Sequence, residues 1–167
     1  MNARTLSWLA AASAGAVVLW AAAASIAPQP PDAASICASH IKRVGLAVLL
    51  YAQDHAERYP PAAGWDALVA PYVIGPSRDD PWRCPSAQSV VGYGLNAAVA
   101  QVAWSRFNDT HSTVSMLECD ASRRDATGGV RDLPRQPRHG GADMTGYADG
   151  HVAAVPRSDA AKLRWRP

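Results

Sequence analysis

Apolar positions follow three rhythms along this chain: an unbroken run, then a helical stripe, then short alternating segments. Between Leu6 and Ala27 no residue carries a charge. As a helix that run would extend about 33 Å, close to the roughly 30 Å of a bilayer's hydrocarbon core. Pro28, Pro30 and Pro31 follow. They fix φ and withhold backbone donors, so a linker is expected over 28–32, with Asp32 capping the helix that restarts after it. Cys37, Ile41, Val44, Val48, Tyr51 and His55 then recur at spacings of four and three, which predicts a helix to about residue 57 with these side chains on one stripe. On the other side Lys42, Arg43 and Gln53 are interrupted by Leu46, Leu49 and Leu50. That face is either covered by loops of the same domain or offered to another subunit or the membrane.

Tyr59-Pro60-Pro61 ends the helix, and 65–73 reads as a short helical turn burying Trp65, Leu68, Val69 and Tyr72 on one side. A proline-punctuated loop over 79–86 leads to predicted strands at 90–95 and 113–118, and then to a polar, arginine-rich excursion over 120–136. Near the end, Asp149-Gly150 suits a type I′ turn between 144–148 and 151–155. If Gly140 and Gly141 fold the incoming chain back, His139 would meet Asp149 beside that turn. The last six residues alternate charged and apolar, as an edge strand or frayed tail does. The order predicts an α+β protein: an N-terminal membrane helix, then an amphipathic helix packed on a small antiparallel sheet. It divides into an anchor or signal segment at 1–27, a linker at 28–32 and one domain at 33–167.

Composition, 49% hydrophobic and 18% charged, fits a globular domain with one biased segment. Arg4 ahead of the apolar run favours a cytoplasmic N-terminus and an exported remainder. Ala22-Ala23-Ala24 also suits a signal-peptidase site. Under either reading the domain faces the periplasm or exterior, as a single-pass membrane protein or as a secreted one. The formal charge of +2 says little about partners, while the aspartates among the C-terminal arginines and the lack of an aromatic-interleaved basic motif argue against a nucleic-acid partner. Three cysteines, Cys37, Cys84 and Cys119, allow three pairings. A Cys37–Cys84 bridge, tying the first helix to the loop after it, is the expected one, against three unpaired buried thiols.

His139, Asp149 and His151 are the candidate cation ligands, with His111, Asp120 or Asp143 as further donors. No EF-hand spacing and no paired Cys/His signature supports them. The alternative is that His139 and Asp149 hold the hairpin with Gly150 by hydrogen bonding, in which case no cofactor is needed. Cys84 with His139 is the one nucleophile–base pairing to consider, and no Gly-x-Ser-x-Gly elbow or phosphate loop accompanies it, so no enzymatic activity is expected. Trp65, Trp82, Trp104 and Trp165 either stack on ligands or pack in the core.

Cys37-Ala38-Ser39-His40, Tyr51-Ala52-Gln53-Asp54, Arg58-Tyr59-Pro60-Pro61, Cys84-Pro85-Ser86 and Tyr93-Gly94-Leu95-Asn96 occur in this order, ahead of His139, nine residues and Asp149-Gly150. As a set they resemble a bacterial pilin-like family of type II secretion and type IV pilus-like proteins, marked by a C-terminal His-x9-Asp-Gly signature. The likeness covers about residues 33–156, and Asp80-Pro81-Trp82 is similar to a loop of major pseudopilins. The resemblance implies a long helix on a small antiparallel sheet, displayed outside the cytoplasmic membrane. It also implies assembly through the apolar part, with secretion or pilus-like proteins and copies of itself as partners, and no catalytic reaction.

Overall fold

The computed structural model describes residues 32–76, 80–87 and 91–167. The expected anchor at 6–27 and the prolines at 28–31 lie outside them. Helix α1 (Ala33–Asp54) starts where the sequence says, with the Asp32 carboxylate accepting from the Ser35 N–H at 2.7 Å. It stops three residues sooner than expected. Ala56 and Glu57 take left-handed φ of 53° and 57°, and the turned chain is held by the Trp104 N–H donating to the Glu57 carbonyl at 2.9 Å. Cys37, Ile41, Val44, Val48 and Tyr51 of the stripe are buried, whereas His55 is exposed and stacks on Tyr51. By length and composition α1 is the one helix among the described residues that could cross a membrane. Its stripe nevertheless supplies a protein core.

A short helix, α2 (Trp65–Val69), continues into a 3-10 turn at Ala70–Tyr72. Trp65 and Val69 are buried, and the Trp65 indole donates to the Ala126 carbonyl at 2.9 Å. Leu68, expected on the same side, is exposed. The strands are β1 (Val91–Asn96), β2 (Val114–Ala121), β3 (Thr127–Gly128), β4 (Ala142–Tyr147) and β5 (Val152–Pro156), in the spatial order β3-β1-β2-β4-β5. The sheet is mixed rather than antiparallel, because β3 pairs parallel to the outer edge of β1. After β2 the excursion crosses to that edge, turning at Asp125 (φ 71°), and the Leu95 N–H donates to the Ala126 carbonyl at 3.0 Å.

One apolar cluster unites Ile41, Val44 and Val48 of α1 with Tyr93 and Leu95 of β1, Met116 of β2 and Met144 of β4. Contacts across it are close. A Cβ placed on Gly146 would lie 2.9 Å from the Met116 Cβ and 3.7 Å from an Ile41 carbon, and the Tyr93 hydroxyl donates to the Cys37 carbonyl at 3.2 Å. The C-terminal tail is tied down. Arg164 bridges Thr113 and accepts from the Val114 N–H at 2.9 Å, while the buried Asn96 amide donates to the carbonyls of Val114 and Trp165.

Candidate functional site

The expected meeting of His139 with Asp149 does not occur, and the reason is the strand between them. Gly140 and Gly141 do turn the chain, with φ of 64° and 92°, and His139 pairs back onto Ala142. Six of the residues that follow form β4, whose five rises of about 3.3 Å separate its ends by about 17 Å. His139 and Asp149 therefore sit at opposite ends of one strand, each in its own polar cluster.

At the far end, the turn is a three-residue loop rather than the type I′ expected. The Gly150 N–H donates to the Tyr147 carbonyl at 2.8 Å and the Tyr147 N–H to the His151 carbonyl at 2.9 Å. Only Gly150 of the loop has positive φ (86°), the pattern of a type I turn followed by a bulge glycine. The left-handed φ favours glycine there, and a Cβ would press against the end of the Leu49 side chain at 2.9 Å. Leu46 and Leu49 thus lie against the turn, and the Lys42 ammonium donates to the Gly150 carbonyl at 2.6 Å. Coverage is incomplete: Leu46 stays 41% exposed, and Leu49 and Leu50 are half-buried.

Asp149 faces two histidines across this loop. His151 Nδ1 lies 2.6 Å from Oδ1 and His111 Nδ1 2.9 Å from Oδ2, and the His151 N–H also donates to Oδ1. The two imidazoles stack at 4.4 Å, and His151 stacks on Tyr147 at 4.1 Å. Burial, the largest single influence, pushes the Asp149 carboxyl up. The hydrogen bonds from His151 and His111 and the charge of His151 together outweigh it and hold the carboxyl down at about 2. One ligand atom from each of these three residues falls within 4.8 Å of the others. The cluster borders an open cleft of about 600 Å³ whose other side carries Lys162 and Arg164.

The near end is closed to water. His139 Nε2 lies 3.0 Å from Glu118 Oε1 and 3.7 Å from Cys84 Sγ, and Cys84 is bonded to Cys37. The second Glu118 oxygen accepts from the Met144 N–H at 2.9 Å, and Arg138 Nη1 stands 3.7 Å from the first. Arg138 is itself fixed by the carbonyls of Gly92 and Cys119 and by Asp120. Burial raises the Glu118 carboxyl above its ordinary range, with Met144, His139 and Arg138 opposing it. The third thiol, Cys119, is buried and pushed up to about 12 by that burial, which leaves it inert.

The bridge is therefore Cys37–Cys84, the expected pairing, and it removes Cys84 as a nucleophile beside His139. Asp143, a candidate ligand, is instead engaged by the Arg157 guanidinium at 2.6 and 2.7 Å. Trp65 and Trp82 are core residues, and the Trp165 indole donates to the Ala160 carbonyl. Sequence reasoning missed Glu118. Its signal was parity: it stands two residues after Met116, on the face of β2 that points to the core, where a carboxylate needs partners. Comparison of the chain with protein-family models, with curated proteins and with solved structures found no match.

Proposed function

We propose that this is a non-enzymatic, pilin-like protein displayed outside the cytoplasmic membrane, acting as a structural or interaction partner of type II secretion or type IV pilus-like machinery. The observation that supports it best is α1 itself: a long helix with one stripe in a core, clamped near its start by a disulfide suited to an oxidising compartment. Its other side keeps Leu46 exposed beside half-buried Leu49 and Leu50, a face available for assembly with a second copy or a machinery subunit. A photo-crosslinking residue at position 46 of the full-length chain in its native cell tests this. Specific adducts with the same chain or an assembly component are expected. A protein recovered only as an uncrosslinked monomer would refute the reading.

A second reading, a periplasmic module that binds a divalent cation, draws on the convergence of His111, Asp149 and His151. Calorimetric titration of the chain with Zn²⁺ measures it. Affinity should fall on the order of tenfold or more in His111→Ala and in His151→Ala. Identical affinity in wild type and both variants would remove this reading.

A further inference from the structure

The disulfide is packed against polar groups that it does not need. Cys37 of α1, Cys84 of the 81–86 loop, Glu118 of β2 and His139 before β4 converge from four segments. Both sulfurs and Glu118 are wholly buried, and the His139 side chain is 3% exposed. A disulfide is uncharged and satisfied by apolar neighbours, whereas a buried carboxylate and imidazole cost free energy unless they are hydrogen-bonded or paired, as Glu118 and His139 are with each other and with the Met144 N–H. Here one nitrogen, His139 Nε2, faces both the carboxylate and a sulfur, and one ligand atom from each of the four residues lies within 4.8 Å of the rest.

From this convergence we propose that, when Cys37 and Cys84 are reduced, the two thiolates, His139 Nε2 and Glu118 Oε1 hold one Zn²⁺ ion, so that metal and disulfide are alternative occupants of a single buried site. Zinc takes tetrahedral S, N and O ligands with neighbouring ligand atoms about 3.3–3.8 Å apart. The Nε2–Sγ separation of 3.7 Å already matches, and the Nε2–Oε1 separation of 3.0 Å needs only a small opening. The sulfurs must part, and a Cα–Cα distance of 5.2 Å lets the two side chains swing without moving the backbone. The outer contacts are of the kind that orient ligands: the Met144 N–H holds the second Glu118 oxygen, and Arg138 stands beside the first. Two thiolates and Glu118 carry three negative charges against the two of Zn²⁺, and the Arg138 guanidinium, 3.7 Å from Glu118 and shared with Asp120, offsets part of the remainder.

Loading replaces two thiol protons, which pass to solvent, by the ion. Release is an oxidation: the zinc-bound dithiolate gives two electrons to a small-molecule disulfide, the Cys37–Cys84 bond forms, the S–S bond of that oxidant breaks and its two thiolates leave, and Zn²⁺ is set free. The site is therefore filled before or during oxidative folding.

The test uses the full-length chain in detergent, reduced in denaturant and refolded anaerobically with Co²⁺ as the optical probe and Zn²⁺ as competitor. One thiolate-bound Co²⁺ per chain is expected, with thiolate-to-cobalt charge transfer and tetrahedral ligand-field bands that Zn²⁺ abolishes by displacing it. Oxidised glutathione should release one ion per disulfide formed. Glu118→Gln and His139→Gln should each weaken binding at least about tenfold, their fold being checked in the oxidised state by circular dichroism. His111→Ala should leave the charge-transfer band unchanged. The proposal is overturned by any of these results: absence of the band from a refolded chain with both thiols intact, its persistence in Cys37→Ser/Cys84→Ser, retention of metal after the disulfide forms, unchanged affinity in both ligand variants, or failure of the reduced chain to refold with metal when the oxidised chain refolds.

Discussion

Opening the Cys37–Cys84 bond should lower the stability of the 33–167 domain by about 4 kcal/mol. The bond closes a loop with a sequence separation of 47. On the chain-entropy model a loop of that size removes roughly 13–14 cal/mol/K from the unfolded ensemble, or about 4 kcal/mol at 25 °C. For a domain of this length that corresponds to a fall in Tm of roughly 12–16 °C. The clean comparison is wild type, oxidised against reduced, with a chelator present so that no metal takes the place of the bond. Urea unfolding followed by tryptophan fluorescence is the assay, since Trp65 and Trp82 are buried and both should report. The slope m should rise as the midpoint falls, because the unfolded chain is no longer cross-linked. Cys37→Ala/Cys84→Ala should lose about 1–2 kcal/mol more for the space two sulfurs vacate. A midpoint shift worth less than about 1 kcal/mol in the reduced wild type would show that the bond does not constrain the unfolded chain as argued.

Three further outcomes follow from other parts of the molecule. Gly146→Val, whose Cβ would sit 2.9 Å from the Met116 Cβ, should destabilise by about 2–3 kcal/mol in the same assay, and a neutral result would mean that the helix side of β4 is looser than described. Cys119, pushed from 9.0 to about 12, should react with iodoacetamide at pH 9 roughly 500-fold more slowly folded than unfolded; equal rates would contradict its burial. Asp149, held at about 2 against an ordinary 3.8, favours folding above about pH 4, and that contribution disappears as pH falls through 2. Because the side chain is largely solvated, about 1 kcal/mol or less is at stake. The difference in stability between wild type and Asp149→Asn should therefore be present at pH 6 and gone near pH 2, and a pH-independent difference would count against the histidine contacts.

Much of the architecture could be read from local rules. Asp32 after a run of prolines marks a helix start, and the stripe from Cys37 to Tyr51 marks the buried side, because both signals depend on neighbours along one helix. The helix stop was harder to place. Ala56 and Glu57 adopt left-handed φ that tertiary bonds to the Trp104 segment impose, and neither residue type announces it. β3 is two residues long and has no alternation to detect, so the parallel edge was invisible. The Asp-Gly pair announced a hairpin but left its class open, since one left-handed glycine serves a bulged loop as well as a type I′ turn. For the polar clusters, counting nine residues between His139 and Asp149 concealed that six of them make a strand. Glu118 was legible only through strand parity, and its partners Cys84 and His139 come from segments 34 and 21 residues away in the chain.

Display of the 33–167 domain on the far side of the cytoplasmic membrane, held together by its disulfide, is the central proposal. Protease added to intact spheroplasts, with products resolved by non-reducing mass spectrometry after thiol trapping, measures both at once. The expected result is digestion of the domain from outside, yielding a Cys37–Cys84 cross-linked peptide and Cys119 as the sole free thiol. A domain protected until the membrane is lysed, with all three thiols alkylated, would contradict it.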